Sequence, residues 1–172
     1  MSVKRALVVI DMQNDYLWKK RRPMFGYDSR ALTDAVNESI HKYKDEGCEI
    51  IYIGQIFPDI ITNRLIIGFS IKGTEGAELY SGMDKVSELY FEKNLPDTFT
   101  AKKFREYIKQ NGITEVILCG LDECGCVGAT AKGAVKAGLK VSLIAKATGC
   151  RFDSAKQKKM HDKLTDMGVR YI

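Results

Sequence analysis

The stretch Glu115-Val116-Ile117-Leu118-Cys119-Gly120-Leu121-Asp122-Glu123-Cys124-Gly125-Cys126 runs from an apolar strand, through a tight turn, into a helix-like segment ending near Lys136. Val116 to Cys119 is an unbroken apolar run, which suits a strand covered on both faces rather than one with a wet side. The same alternation of short strand and helix recurs on either side of it. Ala6 to Ile10, Glu49 to Gly54, Leu89 to Glu92, Leu139 to Ala145 and Val169 to Ile172 read as the other strands. Helices are expected from a Ser29 cap to about Glu46, with Gly47 as the stop, and from a Thr100 cap to about Lys109, with Asn111-Gly112 as the stop. A last helix begins at Asp153 and ends near Met167-Gly168. Alternating elements of this kind predict a three-layer α/β/α fold with a mostly parallel, six-stranded sheet and Rossmann-like topology. No repeat or linker divides the chain, so residues 1–172 are read as one domain.

Composition narrows the function. The 172 residues are 45% hydrophobic and 28% charged, with mean hydropathy −0.20 and a formal net charge of +5. That is ordinary for a globular domain with a sizeable core. The one dense basic run, Lys19-Lys20-Arg21-Arg22, is read as a solvated loop, so no nucleic-acid or membrane partner is expected. Five cysteines (Cys48, Cys119, Cys124, Cys126 and Cys150) are an odd number in a chain of normal core size, unlike a secreted disulfide framework. The apolar run before Asp11 is too short for a signal-peptide core or a membrane span. A cytoplasmic protein with free thiols is the expectation.

In open α/β sheets, ligands bind beyond the carboxyl ends of the strands. Three reactive side chains fall there: Asp11 after the first strand, Lys93 after the third and Cys126 beyond the fourth. A helix N-terminus and a nearby cation both favour a thiolate, so Cys126 at the start of its helix, beside Lys93, is expected to be activated as a nucleophile. Asp11 would then take the thiol proton and return it to a leaving amine. The turn Gly120 to Cys126 could present backbone N–H groups to an oxyanion. His41 and His161, the only histidines, are placed on helices away from these ends.

These residues carry a resemblance. Ile10-Asp11-Met12-Gln13-Asn14-Asp15-Tyr16, Lys72-Gly73-Thr74-Glu75-Gly76-Ala77-Glu78-Leu79, Phe91-Glu92-Lys93-Asn94-Leu95-Pro96-Asp97-Thr98-Phe99, and Gly120 to Val127 with Thr130-Ala131 stand in order along the chain. Together they resemble the isochorismatase-like cysteine hydrolases. The resemblance implies that family's fold, a catalytic triad of Asp11, Lys93 and Cys126, and a non-proline cis peptide at Leu121–Asp122. It further implies oxyanion donors at the N–H groups of Asp122 and Cys126. The activity it implies is hydrolysis of a small amide or ureido compound through a thioester on Cys126. Isochorismatase-type vinyl-ether hydrolysis is the alternative, as is an inactive or redox-responsive member acting as a binding protein.

One departure bears on cofactors. Nicotinamidases of that family hold a metal with an Asp-x-His motif after the second strand, where this chain has Gly54-Gln55-Ile56-Phe57-Pro58-Asp59. No metal and no other cofactor is therefore expected. Tyr16, Trp18, Phe25 and Phe57 follow the first two strands and are candidates to wall the substrate pocket. The stretch from Gln55 to Gly82 has no clean period. Within it, Ile60, Ile61, Leu65, Ile66, Ile67, Phe69 and Ile71 place seven large apolar side chains in one excursion. A homo-oligomer with its interface beside the active site is the expectation. Cys124 reads as a turn residue, although a redox pairing with Cys126 is conceivable from the spacing.

Overall fold

A computed structural model describes residues 4–172. The strands are β1 (Arg5–Ile10), β2 (Glu49–Gln55), β3 (Tyr90–Lys93), β4 (Glu115–Gly120), β5 (Lys140–Thr148) and β6 (Arg170–Tyr171). They form one sheet in the order β3-β2-β1-β4-β5-β6, and every pairing is parallel. The expected "mostly parallel" sheet is thus wholly parallel. The chain order reverses between β1 and β4, and a crevice opens at such a switch point beyond the strand ends. Asp11 and the turn after Gly120 leave the sheet side by side there.

Strand residues alternate between two cores. Leu7, Val9, Ile50, Tyr52, Ile117 and Cys119 face the layer that holds α2 (Ser29–Asp45), packing on Leu32, Val36, Ile40 and Tyr43. Ala6, Val8, Ile10, Ile51, Ile53 and Leu118 face the opposite layer. There they meet α4 (Lys102–Gln110), α5 (Cys126–Lys136) and α6 (Ser154–Asp166) through Phe104, Ile108, Val127, Ala131 and Leu164. Both faces are covered, which is why the strand sequences read as continuous apolar runs.

The structure corrects several local readings. Asp28, not Ser29, caps α2, its carboxylate accepting from the N–H groups of Arg30 and Ala31 at 3.0 Å each. A carboxylate is an equally good cap one residue earlier, so the two could not be separated by pattern. Thr100 closes a 3₁₀ turn (Thr98–Thr100) capped by Asp97, and α4 starts without a side-chain cap. The excursion after β2 is not wholly irregular, since it holds a short helix, α3 (Ile61–Ile66), and a 3₁₀ turn at Glu75–Ala77. A single helical turn, α1 (Asn14–Leu17), follows β1. Among the described residues no helix is long and apolar enough to cross a membrane.

Candidate active site

Asp11, Lys93 and Cys126, spread over more than a hundred residues of the chain, converge at the switch point. Asp11 directly follows β1 with a left-handed backbone (φ 54°) that lifts its carboxylate out of the strand line, and it is 3% exposed. Lys93, 2% exposed, ends β3 and donates to Asp11 Oδ2 at 3.0 Å and to Gln55 Oε1 at 2.6 Å. Cys126 Sγ lies 4.0 Å from the same Gln55 oxygen. The other Asp11 oxygen, Oδ1, is buried with no hydrogen-bond partner, an acceptor left open in the cluster.

The turn between β4 and α5 is fixed by its own backbone. Gly120 has φ 107°, and a Cβ there would run into the Ile10 carbonyl, so only glycine lets β4 and β1 close up at this point. Leu121 N–H donates to Ile10 O at 2.9 Å, and Gly149 N–H donates to Gly120 O at 3.0 Å. The Asp122 carbonyl accepts from Gly125 N–H at 2.9 Å and Val127 N–H at 3.1 Å. The Leu121–Asp122 peptide is cis. Among the described residues, the N–H groups of Asp122 and Cys126 donate to no other group.

Ionisation at the site departs from the sequence reading in one respect. The Cys126 thiol is not poised as a thiolate. Burial first, and then the Asp11 carboxylate, push its pKa up, and Lys93 only partly opposes them. The helix start does not overcome the loss of water. For Lys93, burial disfavours the charge, but the Asp11 carboxylate opposes it most strongly, and the ammonium is held above its usual pKa. The resting site therefore holds a charged Lys93 and a protonated Cys126.

A cavity of about 360 Å³ opens above these groups. Its walls include Tyr16, Phe25 and Phe57, as the sequence suggested, together with Tyr27, Phe69 and Leu95. Trp18 is not among them. Tyr16 and Leu17 turn inward from α1, whereas Trp18 leaves its end in an extended conformation and borders a separate depression near Arg64 and Glu75. Lys20 Nζ sits 3.8 Å above the Trp18 ring.

Gln55, Gln13 and Arg151 also belong to the site, and the sequence reading assigned none of them a role. Gln55 is 4% exposed. An ammonium can only donate, so the Gln55 carboxamide must turn its oxygen to Lys93, and its Nε2 is left buried without a partner. Gln13 locks the Gln55 backbone from both sides: its Oε1 accepts from Gln55 N–H at 2.9 Å, and its Nε2 donates to Gln55 O at 3.0 Å and Ala77 O at 2.6 Å. Arg151 reaches the cavity from the loop after β5 and pairs with Asp122 at 3.3 Å. The available signal for Gln55 was its position at the carboxyl end of an apolar strand, the same end of the sheet as Asp11.

The donor set does not fit a metal at the position where nicotinamidases hold one. Gln55 has its oxygen committed to Lys93, and Phe57 offers an aromatic ring. His41 pairs with Asp84, and His161 stacks on Tyr171 at 3.8 Å. Among the described residues no group of three or more His, Cys, Asp or Glu side chains is arranged to hold a metal ion.

Comparison with known proteins identifies the family and the fold. Residues 5–172 match the family model described as the Isochorismatase domain. An uncharacterized isochorismatase family protein of Bacillus subtilis, YrdC, is 26% identical over 153 residues, covering 86% of this chain and 75% of the relative. Among solved structures, pyrazinamidase of Pyrococcus horikoshii in complex with zinc superposes with a TM-score of 0.84 at 22% identity, covering 98% of both chains. The N-carbamoylsarcosine amidase from Thermoplasma acidophilum superposes with a TM-score of 0.81 at 24% identity, covering 98% of this chain and 95% of that one. At such identities the superpositions speak for the fold.

Proposed function

Because the chain belongs to the isochorismatase family, we propose that it is a cysteine hydrolase that cleaves the C–N bond of a small carboxamide or ureido compound. The observation that carries this reading is the buried cluster of Asp11, Lys93 and Gln55 around the Cys126 thiol at the base of an aromatic cavity. The fold shared with an amidase and a pyrazinamidase is consistent with it.

The chemistry follows from the proton inventory. Asp11 Oδ1, which has no other partner, takes the Cys126 proton as Sγ adds to the substrate carbonyl carbon. Lys93 stays charged, holds Asp11 Oδ2 and offsets the negative charge of the forming adduct. The carbonyl oxygen becomes an oxyanion and takes the free N–H groups of Asp122 and Cys126. Collapse of the adduct breaks the C–N bond, and Asp11 returns the proton to the leaving amine or ammonia. Water, activated by the same Asp11, then hydrolyses the thioester and frees Cys126. No metal enters any step.

The walls favour a small, flat compound, and Gln55 adds a polar requirement. Its unpartnered Nε2 calls for a hydrogen-bond acceptor on the substrate, because a buried donor left unmet costs about 1–3 kcal/mol. The test is an ammonia-release screen over small carboxamides, ureides and carbamoyl compounds, with Cys126→Ala protein as the blank. Release above the blank from one of these classes is the expected result. Equal release from both proteins across all classes would overturn the reading.

We also propose that the protein is a homo-oligomer. Of the seven apolar side chains in the excursion, Ile71 is buried, and Phe69 turns into the cavity. Four remain exposed, with Ile61 at 76% and Leu65 and Ile66 at 79% each. None of the six residues of α3 is buried, so the helix packs no side chain into its own chain's core. An apolar face of this kind is the usual mark of an interface, and a second copy would cover it next to the cavity that Phe57 and Phe69 line. Light scattering at micromolar concentration should give a multiple of 19.3 kDa. A monomer mass would rule the assembly out.

A further inference from the structure

The sequence spacing suggests Cys126 as the redox partner of Cys124, but the fold gives Cys124 a different one. Its sulfur lies 3.6 Å from that of Cys150, 26 residues away in the chain. Cys126 Sγ turns the other way, toward Gln55. We propose that Cys124 and Cys150 form a second reactive-sulfur site, a dithiol that a two-electron oxidant of the peroxide class closes to a disulfide.

Three observations support this site. Both thiols are free and half-buried, so a small oxidant can reach them while the protein stays folded. The two loops that carry them are already tied together, because Glu123 N–H donates to Gly149 O at 2.9 Å and Gly149 N–H donates to Gly120 O at 3.0 Å. The backbone thus holds the residues just before each cysteine in register. Bond formation needs the sulfurs to approach by only about 1.5 Å, to the usual S–S length near 2.05 Å. Cys119 and Cys48, by contrast, are buried in the core, and neither has a cysteine sulfur in hydrogen-bond contact among the described residues.

The electron count closes with peroxide as oxidant. One sulfur, as its thiolate, attacks a peroxide oxygen and breaks the O–O bond, giving a sulfenic acid and one water after protonation. The second sulfur then displaces the hydroxyl as a second water. Two thiols lose two protons and two electrons, and hydrogen peroxide becomes two waters. The new bond would lie behind the wall of the site described above, not in its cavity. Cys124 stands between Asp122 and Cys126, and Cys150 precedes Arg151, which grips Asp122. That consequence for catalysis rests on the proposed hydrolase reading, whereas the dithiol site itself does not.

The test keeps the two apart by using full-length Cys126→Ala protein, in which the nucleophile cannot react. After stoichiometric hydrogen peroxide, alkylation and digestion, mass spectrometry should find the Cys124 and Cys150 peptides joined, two hydrogens lighter and released by dithiothreitol. Closing a loop of this length should also raise the melting temperature by about 5–10 °C. Cys126→Ala/Cys150→Ser should show neither change. Recovery of Cys124 and Cys150 as separately alkylated peptides after peroxide, with no rise in melting temperature, would overturn the proposal.

Discussion

Replacing Cys126 with alanine is expected to lower turnover of any amide found in the screen by about 10⁴- to 10⁶-fold, the range seen when a covalent nucleophile is removed and only binding and oxyanion contacts remain. The substitution deletes one sulfur from a half-buried position, so the fold should survive it and the melting curve should stay close to that of the parent. The resting thiol also has a measurable signature. Burial and the neighbouring Asp11 hold it protonated, so alkylation of Cys126 by iodoacetamide should be slow at neutral pH and should climb as pH rises. In an Asp11→Asn protein one of the two causes is gone. The thiol should then ionise at lower pH and label faster, even as turnover collapses if Asp11 is the base of the proposed mechanism. A Cys126→Ala protein within tenfold of parental turnover would eliminate the thioester route altogether.

Lys93→Met should be the most destabilising of the site substitutions, at about 3–5 kcal/mol in urea denaturation. Removing one member of a buried ion pair strands the other charge in a medium that cannot solvate it. Lys93 and Asp11 meet at 3.0 Å with side chains 0% and 4% exposed, and Lys93 also satisfies Gln55. The double variant Asp11→Asn/Lys93→Met separates desolvation from packing, because it leaves no unpaired charge. It should recover a substantial part of the loss, giving a coupling energy of at least about 1 kcal/mol. Additive losses in the two single variants would mean that the pair contributes nothing through its charges. Turnover should fall in all three proteins, since Lys93 holds Asp11 Oδ2 and, in the proposed mechanism, balances the charge that develops on the adduct.

The excursion after β2 illustrates the limits of reading a chain one segment at a time. Its aperiodic sequence gave no helix, yet α3 forms there with Ile61, Leu65 and Ile66 turned outward. A helix whose apolar residues face solvent carries no amphipathic signature toward its own core. Trp18 and Tyr16 were equal candidates for the pocket wall, being two residues apart on one short segment. The direction in which α1 ends sends one to the cavity and the other to the outside.

The sequence by itself determined the layered α/β architecture and the three side chains at the strand ends. Apolar runs such as Val116 to Cys119, bounded by turn residues, demand burial on both faces, and a parallel sheet between helices is what supplies it. Asp11, Lys93 and Cys126 were legible because their distance from those runs is local information. What only the tertiary structure decided is what each group faces. Gln55 acquires its role because Lys93, 38 residues later, can only donate and so turns the amide nitrogen away. Cys126 is protonated because the folded chain removes water and sets Asp11 beside it, reversing the thiolate expected from its helix position. Cys124 meets Cys150, not Cys126, because neighbours in the turn diverge while β5 returns a distant loop to it. Hydration, and pairing between remote segments, exist only once the chain has closed on itself, and no local pattern encodes them.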